Sequence, residues 1–266
     1  PTVSIAAKDV MSLRQKTGLG MMDCKEALIA TDGDMTAAEE WIRQKRKGKM
    51  DTRTERATGE GRIGVLIDGS RAAIIEVKTE TDFTAKNEDF VAMVDGISKI
   101  AIDAAAGDVE PNDDMQKLVD DIRIKTGENA QYSRGEKLEG GAYGAYVHHD
   151  GKRACLLQVD GEADGETLKG ICQHIVFHDP MGIDADDVPA EKIESIRDAA
   201  LAEAKESGKN DEIAGKMAEG KVRKYLQENT LMAQKYVLDE TVGSTMAILG
   251  DKLVVVFAGY GGQMRT

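Results

Sequence analysis

The chain is poor in aromatic residues, at 4%, has only four histidines and three cysteines, and lacks any long apolar run. Cores built from it must be aliphatic, so each aromatic in a polar neighbourhood becomes informative. Cys24, Cys155 and Cys172 are odd in number and far apart, which excludes a disulfide framework and a CxxC metal site. Buried, reduced thiols are expected. Positive charge is also in deficit: a formal net charge of −13 argues against nucleic acid as the main partner, because phosphate binding needs a basic surface. The opening PTVSIAAKDVMSLRQK has no apolar core of a signal peptide, and nothing approaches the ~20 apolar residues that span a bilayer. These absences lead to the expectation of a soluble cytoplasmic protein with protein partners and no membrane association.

Signs of catalysis are missing too. There is no GxxxxGK[ST] phosphate loop, GxSxG elbow or HExxH motif, and no glycine-rich stretch has the strand-then-helix setting of a dinucleotide site. His174 and His178 have the i, i+4 spacing of helical metal ligands, with Cys172 and Asp179 as the only nearby candidates for further ligands. Ordinary imidazoles are expected instead. The chain reads as a non-enzyme without metal or cofactor.

What is present fills two or three modules in 266 residues. Residues 1–47 read as three short helices: one carrying Ile5, Val10 and Leu13, one over 22–29, and one capped by Asp34 or Thr36 that presents Ala37, Ala38 and Trp41 to a small core. The polar run RQKRKGKMDTRTERATGEG (43–61) reads as a helix end entering a mobile linker, taken as 48–60. An alternative function attaches to its basic part, 43–56: an RNA-binding accessory protein, although no aromatics are interleaved for stacking on bases.

GRIGVLID (61–68) and RAAIIEVKT (71–79) flank an Asp-Gly pair and predict a hairpin. Phe90, Val91, Val94, Ile97 and Ala101 then recur at helical spacing, and a further helix is expected over 113–125. The pattern repeats. GAYGAYVHHDGKRACLLQVDG (141–161) lies over 61–77 with two residues inserted in the turn, matching Gly141 and Gly144 to Gly61 and Gly64, and Leu156, Leu157 and Val159 to Ile74, Ile75 and Val77. Leu168, Ile171, Ile175 and Val176 supply the helix after the second hairpin. The fold class is therefore α+β, with duplicated hairpin-plus-helix subdomains at 61–139 and 140–266. Residues 187–229 form a charged helical hairpin broken at SGKN, on which Ile193, Ile196, Ala200 and Ala204 would face Ile213, Met217 and Val222. It is either a solvated projection or an arm for a partner or a homodimer. KLVVVFAGY (252–260) should be a buried strand completing the second sheet.

Between the first hairpin and its helix stands ETDFTAKNEDF (80–90). Phe83 there is either tucked into the core or offered to a partner. RQKTGLGMMDCKEAL (14–28) resembles the N-terminal signature of the bacterial elongation factor Ts family, and TDFTAKN (81–87) resembles its second signature. KTGENAQYSR (125–134) and GKNDEIAGKMAEGKVRKYL (208–226) are similar to two further stretches of that family, in the same order. The resemblance implies a nucleotide exchange factor for the GTPase elongation factor Tu, with a ubiquitin-associated-like helical domain, two related core subdomains and a helical arm. It implies that the segment Thr81, Asp82 and Phe83 intrudes on the GTPase, the ring wedging into an apolar slot and dislocating the Mg²⁺ site. It implies that His148 presses beside the phosphate side of the nucleotide pocket, and that Arg14, Met21 and Met22 dock on a GTPase helix.

Overall fold

In the computed structural model the described residues are 5–51, 54–238, 244–245, 254–260 and 263–265; the side chains of 47–51, 254–260 and 263–265 lie outside that description. The chain divides into two compact units, residues 1–138 with 149–153, and 139–148 with 154–266.

The first unit begins with three helices: α1 (Ala7–Thr17), α2 (Met21–Ala30) and α3 (Met35–Asp51). Gly18 ends α1 in the left-handed region at φ 69°, which suits a residue without Cβ. Asp34 caps α3, its carboxylate accepting the Ala37 N–H at 2.9 Å. Val10, Leu13, Cys24, Leu28, Ala38 and Ile42 form the core of this group. Trp41 does not plug it: the ring lies at the margin, half-buried, with Lys45 Nζ 4.5 Å above it, because Ala38 and Ile42 occupy the inward stripe.

Two corrections concern the basic run. Helix α3 continues to Asp51 instead of ending near 47. Its lysines and arginines favour helix and meet acids on other elements: Arg43 pairs with Asp121, Lys45 with Glu26 and Arg46 with Asp23. The expected linker is also fastened, since Asn129 Nδ2 donates to the carbonyls of Thr54 and Arg56, and Gln131 Nε2 to Thr58 Oγ1. Positions 52 and 53 lie outside the described residues.

Strands β1 (Glu60–Asp68) and β2 (Arg71–Thr79) pair antiparallel around Gly69 and Ser70, with Asp68 opposite Arg71. Next come α4 (Asp82–Lys86), α5 (Glu88–Ala101), β3 (Gly107–Asp108), α6 (Asp113–Thr126) and β4 (Ala130–Glu139). The sheet order is β1-β2-β4-β3. Phe90, Val94 and Ile97 of α5 and Met115, Val119 and Ile122 of α6 pack on Ala73, Ile75 and Val77 of β2. Sequence patterning assigns no strand to 130–139, where apolar residues are few. Its pairing with β2 is non-local, and Arg134 Nε reaches the buried Glu76 carboxylate at 2.9 Å.

The second unit holds β5 (Ala142–Val147), β6 (Ala154–Val159), α7 (Gly165–His178), α8 (Ala190–Glu206), α9 (Asp211–Asn229), β7 (Val254–Tyr260) and β8 (Gln263–Arg265), with sheet order β5-β6-β7-β8. Gly144 pairs with Leu157 as Gly64 pairs with Ile75, so the two hairpins share a register under the sequence alignment. Each of these glycines lets a helix approach its strand: a Cβ on Gly64 would lie 2.8 Å from Val94 Cγ1, and one on Gly144 2.5 Å from Leu168 Cβ. The strand expected over 252–260 forms from 254 onward and pairs antiparallel with β6; positions 252 and 253, and the expected burial of its side chains, lie outside the described residues.

Helices α8 and α9 form the expected hairpin, with Asn210 capping α9 through the Ile213 N–H at 2.9 Å. The contact face is not the expected one. Ala200 and Ala204 of α8 and Ala214, Ala218 and Val222 of α9 are buried, while Ile213 and Met217 are exposed. Close helix approach selects alanine over larger neighbours, rotating α9 by one position.

Candidate functional site

The β2–α4 corner is built from hydrogen bonds rather than from apolar packing. Thr81 is extended (φ −126°, ψ 155°) and caps α4, its Oγ1 accepting the Thr84 N–H at 3.3 Å. Six residues later Asn87 ends α4 and caps α5, its side chain accepting the Asp89 N–H at 2.8 Å. This single helical turn has two faces. Thr84 and Ala85 point inward and are buried; Phe83 points outward and is 83% exposed. An aromatic ring left in water forgoes about 1.5–3 kcal/mol of burial that its own domain does not supply. Asp82 Oδ2 accepts from Lys86 Nζ at 2.7 Å across one turn. That hydrogen bond holds the Asp82 carboxyl below its usual range, with Lys152, itself paired with Glu60, adding favourable charge. The corner therefore shows an anion beside an apolar ring.

Arg14, Met21 and Met22 lie in the same unit, on the N-terminal helices. Leu13 faces the core, which leaves Arg14 exposed. Gly18 and Gly20 bracket the buried Leu19 and start α2 at Met21, so both methionines fall in its first turn, Met22 with 77% exposure. Met11 and Ile29 are exposed as well, a feature that periodicity alone did not single out. The C-terminal half of α6 supports these helices: Ile124 joins their core, and Arg46 Nη1 donates to its carbonyl at 3.0 Å. A cleft of about 400 Å³ lies there, lined by the ion pairs Lys16–Glu39, Arg43–Asp121 and Lys125–Asp89. These charges neutralise one another instead of converging on a ligand.

His148 belongs to the second unit, immediately after β5. It is half-buried, and its Nδ1 lies 3.0 Å from the Tyr146 hydroxyl. Thr81, Asp82 and Phe83 thus share one corner, Arg14, Met21 and Met22 share the helical group, and His148 stands on another unit. Lys86 and Glu128, which brace the corner, lie inside the stretches 81–87 and 125–134, yet sequence reasoning gave neither a role, because nothing local marks them as supports.

The His174 and His178 pair is not arranged as a metal site. His174 is fully buried; its Nδ1 accepts the Val237 N–H at 3.2 Å, which leaves the proton on Nε2 to donate to Gln234 Oε1 at 3.0 Å. Both ring nitrogens are thereby used. Among the described residues no group of three or more His, Cys, Asp or Glu could hold a metal. Burial pushes the His174 pKa down from its ordinary value, against the raising effect of the Gln234 hydrogen bond and with a smaller lowering from His178, whose ring is 4.6 Å away. A lowered folded pKa means that the unfolded chain binds more protons, so the stabilisation is complete above the unfolded pKa of about 6.5 and is lost as pH falls below it. Thermal unfolding of the wild type is expected to shift to lower temperature between pH 7.5 and pH 5, and His174→Gln to flatten that slope. An equal slope in the variant would assign the pH dependence elsewhere.

Among the described residues no helix is long and apolar enough to cross a membrane. Residues 80–258 match the family model described as Elongation factor TS. The chain is similar to the elongation factor Ts of Thioalkalivibrio sulfidiphilus (strain HL-EbGR7), with 38% identity covering 94% of this chain and 90% of the relative. It is 34% identical to the elongation factor Ts of Halorhodospira halophila (strain DSM 244 / SL1), covering 97% and 92% respectively. Against the elongation factor Ts of Levilactobacillus brevis the identity is 36%, covering 94% and 89%.

Proposed function

Since this chain belongs to the elongation factor Ts family of translation elongation factors, we propose that it is a guanine nucleotide exchange factor that binds elongation factor Tu·GDP in the cytoplasm and promotes GDP release. No covalent chemistry is required of it. A nucleotide held at nanomolar affinity is bound by about 12 kcal/mol, much of it through Mg²⁺ and backbone donors around the phosphates. A protein that binds the empty GTPase more tightly than the loaded one weakens the nucleotide by the same factor. Phe83 supplies the wedge and Asp82 the adjoining charge, with Thr81 holding the turn; the ring enters an apolar slot and disturbs the Mg²⁺ site. Arg14, Met21 and Met22 dock the N-terminal helices, and His148 acts on the phosphate side. The observation that carries this reading is the exposure of Phe83 on a hydrogen-bonded corner.

In this reading residues 1–47, continued by α3 to Asp51, are a ubiquitin-associated-like domain, the remainder of 48–60 its connection, and 61–139 and 140–266 related core subdomains, the second bearing the helical hairpin 187–229 as a partner or homodimer arm. The shared hairpin register supports the duplication. The RNA-binding alternative finds less support, because Arg43, Lys45, Arg46 and Arg56 already pair with Asp121, Glu26, Asp23 and Glu80. Stopped-flow release of fluorescent GDP from elongation factor Tu tests the proposal: the rate should rise with added chain, and a rate independent of it would refute exchange activity.

A further inference from the structure

We infer that Glu128 is a positioning residue for the Phe83 corner, its carboxylate clamping the strand-to-helix junction so that the ring is presented at one angle. Glu128 Oε1 accepts from Thr81 Oγ1 at 2.8 Å. Its Oε2 accepts from the Thr81 N–H at 3.2 Å and from Thr79 Oγ1 at 3.3 Å. Both oxygens are thus spent on the two threonines leading into α4. Thr81 passes the restraint on by capping the turn that carries Phe83.

The clamp is needed because the sheet cannot hold this segment. Strand β2 ends at Thr79 and β4 begins at Ala130, so residues 80 and 81 lie beyond both strands. Side chains replace the ladder there. Asn129 N–H donates to Glu80 Oε1 at 2.6 Å, and its carbonyl, 3.2 Å from Thr79 Oγ1, shares the single proton of that hydroxyl with Glu128 Oε2. Glu128 itself stands on a fixed base. Gly127 closes α6 in the left-handed region at φ 74°, and Glu128 N–H donates to Thr126 Oγ1 at 3.2 Å, which in turn bonds the Ile122 carbonyl at 2.8 Å. Charge-assisted bonds from a carboxylate to neutral donors are stronger and more directional than neutral pairs. The same helix that carries Ile124 into the N-terminal core therefore also sets the corner, giving two surfaces of one unit a common support.

The inference rests on the reading of Phe83 as the inserting group. A ring that samples many directions must be ordered on docking, and a preset corner removes that cost. The free chain gives one readout and the exchange assay another. The full chain contains four phenylalanines, so fluorophenylalanine labelling gives a readable ¹⁹F spectrum in which Phe83→Leu assigns the Phe83 signal. In Glu128→Ala that signal should narrow and move toward the value of the free amino acid, and stimulated GDP release should fall about tenfold. Glu128→Gln should restore most of both, because its amide oxygen still accepts the Thr81 N–H while its NH₂ donates to the Thr81 hydroxyl. Thr79→Val removes a single donor and should give a smaller change of the same kind, which preserves the test if the alanine variant unfolds. The clamp is overturned by an unchanged Phe83 signal in the Ala and Val variants, by Gln behaving as badly as Ala, or by a freed ring with wild-type release rates. If the wild type itself fails to accelerate release, the exchange reading fails, and the ring signal alone then decides the clamp.

Discussion

Phe83→Ala is expected to slow stimulated GDP release about thirtyfold while leaving the thermal unfolding of the chain nearly unchanged. The size follows from a buried interface aromatic costing about 2 kcal/mol or more on truncation, with each 1.36 kcal/mol worth a factor of ten. The stability half follows from the 83% exposure of the ring, which removes no contact of consequence when the side chain is cut back. Alanine is also the better helix former at this position of α4. Asp82→Ala should slow release less, since it removes one charge already shared with Lys86. A variant that releases GDP at the wild-type rate would remove Phe83 from the role assigned to it, and one that melts far below the wild type would contradict its placement outside the core.

The opposite result is expected seven residues along the chain. Phe90→Ala should destabilise the first unit by about 3–5 kcal/mol, because its ring is fully buried among Ile75, Val77, Val94, Ile97 and Met115. In a unit of this size that lowers the unfolding temperature by roughly 10–15 °C. Calorimetry of the full chain reads it directly; a loss under about 1 kcal/mol would mean that the site collapses without leaving a cavity. The Asn87 cap explains the contrast. It ends one helical turn and starts the next helix in a new direction, so two phenylalanines near in sequence face opposite environments.

Periodicity makes the inward faces of α5 and α7 legible, since Phe90, Val94, Ile97, Leu168 and Ile171 are buried as their spacing requires, with Val91 only partly so. The Asp-Gly turn and the repeated glycines located both hairpins, because tight turns and close helix contacts constrain residue type strongly. Other features depend on partners distant in sequence. Strand β4 is polar and gains its place from β2 and from the Arg134–Glu76 pair, neither visible locally. On α9 side-chain size points to Ile213 and Met217 as the contact face, whereas close helix approach buries Ala214 and Ala218 instead. At the site, the motif around Phe83 could be read but its bracing could not: Glu128 is 47 residues from Thr81 in the chain, and only the fold brings them together.

The most direct measurement is hydroxyl-radical footprinting of Phe83 in the free chain and in its complex with nucleotide-free elongation factor Tu, with the buried Phe90 as an unreactive reference in both. The expected result is rapid oxidation of Phe83 in the free chain and about tenfold protection once the ring enters the GTPase, in keeping with full desolvation at an interface anchor. A stable complex in which Phe83 oxidises as fast as in the free chain would contradict the account.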